Sequence, residues 1–251
     1  MSQPIPCPVC DSASTAFDVV DFNKSCEEMR GKFLPLSGIP IYYYRCSACQ
    51  FCFAPEFSSW QTEDYANHIY NEDYILVDPE YVDIRPQANA QGMISMLGAQ
   101  KGQFRHLDYG GGSGLMSKLL RQEGWNSSSY DPFVNDDIDP ASLGQFDLIT
   151  AYEVFEHVPD VRPLIQRLSN LLAPQGIILF STMTSDESIV PGQRLSWWYA
   201  APRNGHISLF SKRSLVLLGE REHFKFGSFS SGFHAYWRNI PSWASHVLRE
   251  A

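Results

Sequence analysis

Nine consecutive residues, His106-Leu107-Asp108-Tyr109-Gly110-Gly111-Gly112-Ser113-Gly114, constrain this chain more than any other stretch. A short apolar run ends in an acid, glycines follow at every second position, and an amphipathic run (Leu115, Met116, Leu119, Leu120) comes next. That order predicts a strand, a tight turn and a helix. Glycine is required where the backbone turns sharply and a ligand approaches where a Cβ would clash. The helix that follows presents its first N–H groups to that ligand. A dinucleotide fingerprint, G-x-G-x-x-G, fails because Leu115 holds the sixth position. A phosphate-cradling loop would need a G-K-[ST] lysine, and there is none here. What stands is D-x-G-x-G-x-G.

The downstream segments follow in a telling order. Trp125 to Tyr130 is a strand candidate ending at Asp131-Pro132, and an acid at the tip of the second strand is where a doubly wound fold bonds a ribose diol. Phe146 to Tyr152 reads as a buried strand, followed by Glu153 and by Val154-Phe155-Glu156-His157-Val158-Pro159-Asp160. Leu164, Ile165, Leu168, Leu171 and Leu172 mark one side of a helix over 161–172, stopped by Pro174 and Gly176. Gly176 to Thr182 is the next strand, and 224–229 with 233–237 forms a hairpin-like pair.

Over roughly residues 100–238 these motifs resemble, in order and spacing, those of class I S-adenosylmethionine (SAM) dependent methyltransferases. The resemblance implies an α/β fold with a doubly wound, seven-stranded, mostly parallel sheet. It implies SAM contacts from Asp108, Tyr109, Gly110, Gly111, Gly112 and Gly114 at the turn. Asp131, Pro132, Tyr152 and Glu153 would line the rest of the cofactor site. The segment before the first core strand often forms a lid in such enzymes, which makes Tyr70, Tyr74 and Arg85 lid candidates; the same aromatics suit stapling one part of the protein to another equally well.

Cys7-Pro8-Val9-Cys10 and Cys46-Ser47-Ala48-Cys49 are two C-x-x-C pairs separated by 35 residues. That pattern fits a tetrahedral structural Zn2+ site with four thiolates. Strand candidates at 15–22, 42–45 and 51–53 complete a zinc ribbon. One departure stands out: many ribbons carry Gly right after the second cysteine of a knuckle, and this chain has Asp11 and Gln50. Cys26 and Cys52 are left over and read as small buried hydrophobes. The expected organisation is a ribbon over 1–58, a helical linker or lid over 59–100 and a SAM-binding domain over 101–251.

With 28 acidic against 19 basic residues the chain carries a formal net charge of −9. That disfavours nucleic acid as partner, since phosphate-backbone binding needs clustered Lys and Arg. No apolar run has the length of a membrane span and no signal pattern precedes the ribbon, so a cytoplasmic protein is expected. The ribbon ahead of the methyltransferase motifs resembles bacterial enzymes that methylate sugars, glycans or small metabolites, which implies a small-molecule or glycan acceptor, with transfer to oxygen favoured over carbon or nitrogen. The absence of [DN]-P-P-[YFW] after the strand ending at Tyr152 argues against nucleobase amines. His206, in Gly205-His206-Ile207-Ser208-Leu209-Phe210-Ser211, is the first candidate for a general base, with Glu153 and His157 behind it. Trp197, Trp198 and Tyr199 are expected to wall the acceptor pocket. Two other readings remain open: a SAM-binding sensor or scaffold without turnover, and a nucleic-acid methyltransferase that uses the ribbon as reader. The oligomeric state has no sequence signal.

Overall fold

A computed structural model describes residues 3–135 and 137–249. In chain order they form β1 (Ile5–Pro6), β2 (Ala13–Asp21), β3 (Pro40–Cys46), β4 (Cys52–Phe53), α1 (Thr62–His68), α2 (Tyr74–Val77), α3 (Ile84–Leu97), β5 (His106–Tyr109) and α4 (Leu115–Gln122). Then come β6 (Ser127–Tyr130), β7 (Phe146–Tyr152), α5 (Val161–Leu171), β8 (Leu172–Ser181), β9 (Ser208–Leu209), α6 (Lys212–Glu220), β10 (Lys225–Ser228) and β11 (Phe233–Trp237). They divide into two compact units. One takes the chain up to Pro79, Phe155–Arg162 and Thr182–Leu218; the other takes Glu80–Val154, Pro163–Ser181 and the chain from Gly219 onward. No helix among the described residues is long and apolar enough to cross a membrane.

The second unit is built on a sheet of order β10-β11-β8-β7-β5-β6. The strands β6, β5, β7 and β8 run parallel, and β11 enters antiparallel between β8 and β10. Strands buried on both faces read as continuous rather than alternating hydrophobic runs, and Ile177, Ile178, Leu179 and Phe180 of β8 are all buried. The core joins Met93 and Leu97 of α3, Met116 and Leu120 of α4, and Leu148, Ile177 and Leu179 of the sheet. The doubly wound, mostly parallel architecture is as expected, but the sheet has six strands among the described residues, not seven. Among the described residues of 131–145 there is no edge strand beside β6. Pro132 and Pro140 lack the N–H a ladder needs, and the described residues there form turns and a short 3-10 helix, Pro140–Leu143. The strand β8 also starts earlier than expected, at Leu172, directly after α5. Pro174 falls where the pairing with β7 shifts register between Phe146 and Leu148.

The first unit carries an antiparallel sheet of order β1-β2-β3-β4-β9. The expected ribbon strands correspond to β2, β3 and β4. The added strand, β9, comes from far along the chain and pairs Leu209 with Cys52 and Ser208 with Phe53. Tyr43, Phe57, Ile69, Trp197, Tyr199 and Ile207 share its core.

Candidate cofactor, catalytic and metal sites

The glycine turn sits at the carboxyl end of β5, where open α/β sheets bind ligands. Gly110 has φ +74°, and a Cβ there would meet Val154 Cγ2 at 2.5 Å. Gly112 has φ +53° with nothing within 4 Å of a Cβ position, so the backbone is open to an approaching group. Asp131 ties the turn down: its Oδ2 accepts from Gly112 N at 2.9 Å and its Oδ1 from Phe133 N at 2.9 Å. Each oxygen keeps a second lone pair for a hydroxyl. A cleft of about 300 Å³ beside the turn is lined by Gly112, Ser113, Gly114, Ser129 and Asn135, with Arg121 and Lys118 at its side. Pro132 is exposed in the following turn. Gly111 packs against Ser129 and Asp108. Tyr109 offers only its main chain to the turn, because its ring is buried and its hydroxyl accepts from Arg167 at 3.0 Å.

Asp108 lies beneath the turn, buried. Burial pushes its carboxyl up to about 6, against the hydrogen bond from Thr150 and with the charge of Asp131 adding to the rise. A polar chain leads away from it: Asp108 Oδ1 to Thr150 Oγ1 (2.9 Å), Thr150 Oγ1 to His106 Nε2 (2.9 Å), His106 Nδ1 to Ser127 Oγ (2.8 Å), Ser127 Oγ to Ser117 Oγ (2.6 Å), and Ser117 Oγ to Arg121 Nη1 (3.2 Å). Burial holds His106 neutral, with its basicity lowered to about 3. With Asp108 ionised the protons run one way: Arg121 donates to Ser117, Ser117 to Ser127, Ser127 to His106, His106 to Thr150, Thr150 to Asp108. No role for His106 is legible from its neighbours along the chain, because its partners Ser127 and Thr150 lie on two other strands.

Glu153 leaves β7 with φ +54°, a left-handed conformation that costs about 1–2 kcal/mol for a residue with a Cβ. Such strain clusters at functional sites. Glu153 N donates to Ser181 Oγ at 2.8 Å, Ser181 Oγ donates back to Glu153 Oε1 at 3.0 Å, and Arg85 Nη1 lies 3.3 Å from Glu153 Oε2. The expected lid residue Arg85 is thus the ion-pair partner of an expected site residue. Tyr152 directs its hydroxyl to Met93 Sδ at 2.9 Å.

In the first unit, His157 and His206 lie with ring centroids 5.0 Å apart, and Tyr70 stands 6.2 Å from His157. Glu156, fully buried beside them, accepts from the Tyr199 hydroxyl in a short hydrogen bond. Glu156 carries no signal of its own in the sequence, although it adjoins His157. His206 Nδ1 is 3.0 Å from the Tyr199 carbonyl and 3.6 Å from Cys26 Sγ. A carbonyl only accepts, so Nδ1 carries the proton and Nε2 the lone pair. Trp197 and Tyr199 are buried in the core of this unit, with Trp198 packed against it. A second cleft, of about 320 Å³, is lined by Val19, Lys24, Glu28, Leu36 and Arg194 and holds none of the sequence-predicted site residues.

The four knuckle cysteines converge, with their sulfurs all within 4.8 Å of one another. Cys7 Sγ lies 3.6 Å from Cys49 Sγ, and Cys10 Sγ 3.5 Å from Cys46 Sγ. A disulfide needs about 2.05 Å, whereas metal–sulfur bonds of about 2.3 Å in a tetrahedron put sulfurs roughly 3.8 Å apart. None of the six cysteines is in a disulfide. Asp11 and Gln50, at the positions where glycine was expected, adopt φ +63° and φ +65°. The knuckles therefore keep the left-handed turn without its usual residue.

Comparison with known families places these features. Residues 80–226 match the model of the Methyltransferase domain family. The chain belongs to that family. The chain is 28% identical to the ubiquinone biosynthesis O-methyltransferase of Erwinia tasmaniensis over 31% of its length and 41% of that protein. It is 37% identical to the Colwellia psychrerythraea protein of the same name over 27% of this chain and 28% of the other. The chain thus spans about two fifths or less of the length of these curated relatives. A Burkholderia thailandensis 1,6-didemethyltoxoflavin-N1-methyltransferase structure superposes with TM-score 0.47 at 14% identity, covering 76% of this chain and 96% of that one.

Proposed function

We propose that this methyltransferase-family protein transfers the methyl group of SAM to an oxygen of a small-molecule or glycan acceptor. The observation that carries the reading is the turn after β5, where an open backbone at Gly112 meets Asp131 on one side and buried Asp108 beneath it. Oxygen is favoured because the curated relatives carry O-methyltransferase names. In this reading Asp131 binds the ribose hydroxyls, and Gly110 to Gly114 let the cofactor reach the backbone. Asp108 balances the cofactor's positive charge, and Glu153, set by Arg85 and Ser181, borders the same end of the sheet. The sulfonium is already a good electrophile, so positioning and desolvation supply much of the rate. An oxygen acceptor must also lose a proton, and His206 Nε2 is the basic nitrogen we assign to accept it or to orient the acceptor. The four cysteines hold a structural Zn2+; their donor set and spacing suit that ion.

Calorimetry with S-adenosylhomocysteine tests the reading. Wild-type protein binds it, and Asp131→Ala weakens binding about tenfold or more, the loss of charge-assisted hydrogen bonds worth roughly 1.5–3 kcal/mol. Wild-type protein that gives no binding heat overturns the reading.

A further inference from the structure

Glu156, His157 and His206 form a cluster separate from the four cysteines. Each offers one ligand atom, and these atoms lie within 4.8 Å of one another. Two imidazoles and one carboxylate converging from two loops are the donor set of many divalent-metal sites. We propose that Glu156, His157 and His206 bind a divalent first-row transition ion, at a second metal site distinct from the cysteine cluster.

Four features of the first unit support this. The loops are fastened to each other through the backbone: Ile207 N donates to Glu156 O at 2.9 Å, and Ser208 Oγ donates to Val158 O at 2.7 Å. The ligand set is therefore held before any ion arrives. His206 has the arrangement of a metal-binding histidine: one nitrogen is held by a carbonyl, which fixes the tautomer and leaves the other basic. The Tyr199 hydroxyl on Glu156 Oε1 is the matching support for the carboxylate. Gly205 completes the site. It has φ +82°, and a Cβ there would come within 2.9 Å of His157 Nδ1 and 3.2 Å of the Tyr70 hydroxyl, so any other residue would push the imidazole away.

Charge argues in the same direction. Glu156 has 0% of its surface exposed and His206 has 5%. A divalent ion bound by this carboxylate and the two imidazoles would add to the hydrogen bond that Tyr199 already gives Glu156. Nitrogen and carboxylate donors together suit Mn2+, Fe2+, Co2+ and Zn2+, whereas thiolates select softer ions. Three protein ligands leave coordination positions for water or for oxygens of another molecule. A bound ion would occupy the Nε2 lone pair of His206, so His206 would then orient an oxygen ligand instead of taking its proton. The proposal does not rest on methyl transfer, and its test reads metal alone.

The test is a Mn2+ titration of the zinc-loaded full chain, with free Mn2+ followed by electron paramagnetic resonance. Mn2+ is the probe because four thiolates do not retain so hard an ion. One Mn2+ should bind per chain, and added Zn2+ should displace it. Glu156→Gln and His206→Gln should each weaken binding at least tenfold while Cys26→Ser leaves it unchanged. Tyr199→Phe removes a single supporting hydroxyl and should weaken binding about 10–100-fold; it serves if the ligand variants fail to fold. Wild-type chain that binds no Mn2+ at millimolar concentration overturns the proposal. So does one Mn2+ per chain whose affinity is untouched in folded Glu156→Gln, His206→Gln or Tyr199→Phe.

Discussion

At the scale of single residues, Asp108 ties the cofactor turn to pH. Its carboxyl moves from an ordinary value of 3.8 to about 6 through burial. An acid raised in the fold binds its proton more tightly there than in the unfolded chain. Its contribution therefore favours the fold below pH 3.8, fades as pH rises to about 6, and is lost above, about 3 kcal/mol in all. A cationic cofactor works in the opposite sense, because it needs the ionised form. Cofactor affinity should fall as pH drops below about 6, by up to tenfold per pH step. Asp108→Asn should bind weakly with no such dependence, and calorimetry between pH 5 and 8 checks both. His206 makes a second prediction: His206→Ala should lower turnover roughly 10²–10⁴-fold and leave S-adenosylhomocysteine affinity unchanged in the same preparation. The glycine turn and Asp131 were legible because local backbone need dictates them. Glu156 and His106 were not, since their partners, Tyr199 in one case and Ser127 and Thr150 in the other, lie far off in sequence.

At the scale of elements, the sequence announced what repeats with a short period. The helix α5 follows its Leu164, Ile165 and Leu168 stripe, and α6 is capped where Ser211 Oγ accepts from Ser214 N at 3.0 Å. The hairpin β10–β11 falls where Phe and Tyr residues alternate with turn residues. A two-residue strand such as β9 has no period to read, and only its partner β4 defines it. The knuckles of the ribbon add a backbone prediction. Gln50 holds φ +65°, and its side chain accepts only an exposed hydrogen bond from Arg45. Gln50→Gly removes the left-handed penalty but frees the unfolded chain, for a net gain of about 0.5–1 kcal/mol. A rise in the melting temperature of the zinc-loaded protein checks it. Asp11→Gly should gain less, because Asp11 pairs with Arg162 at 2.6 Å.

At the scale of the whole molecule, metal content is the sharpest prediction. Purified protein should carry one tightly held zinc per chain, retained through Cys7, Cys10, Cys46 and Cys49, and Cys46→Ser should lose it. Structural zinc contributes directly to folding energy, so a strong chelator should lower the melting temperature of wild type to that of Cys46→Ser. Metal analysis by plasma spectrometry and a thermal scan decide the matter. The strand β9 carries a different consequence, one of time. The sheet of the first unit stays open at β4 until Ser208 and Leu209 exist, and Ser208 stands 155 positions after its partner Phe53. At about 5–20 residues per second a ribosome needs roughly 8–30 s to make that stretch. Through that interval the nascent chain carries Cys52 and Phe53 as a bare edge, the kind of template on which strands mispair, and the N-terminal sheet is among the last parts of the protein to close.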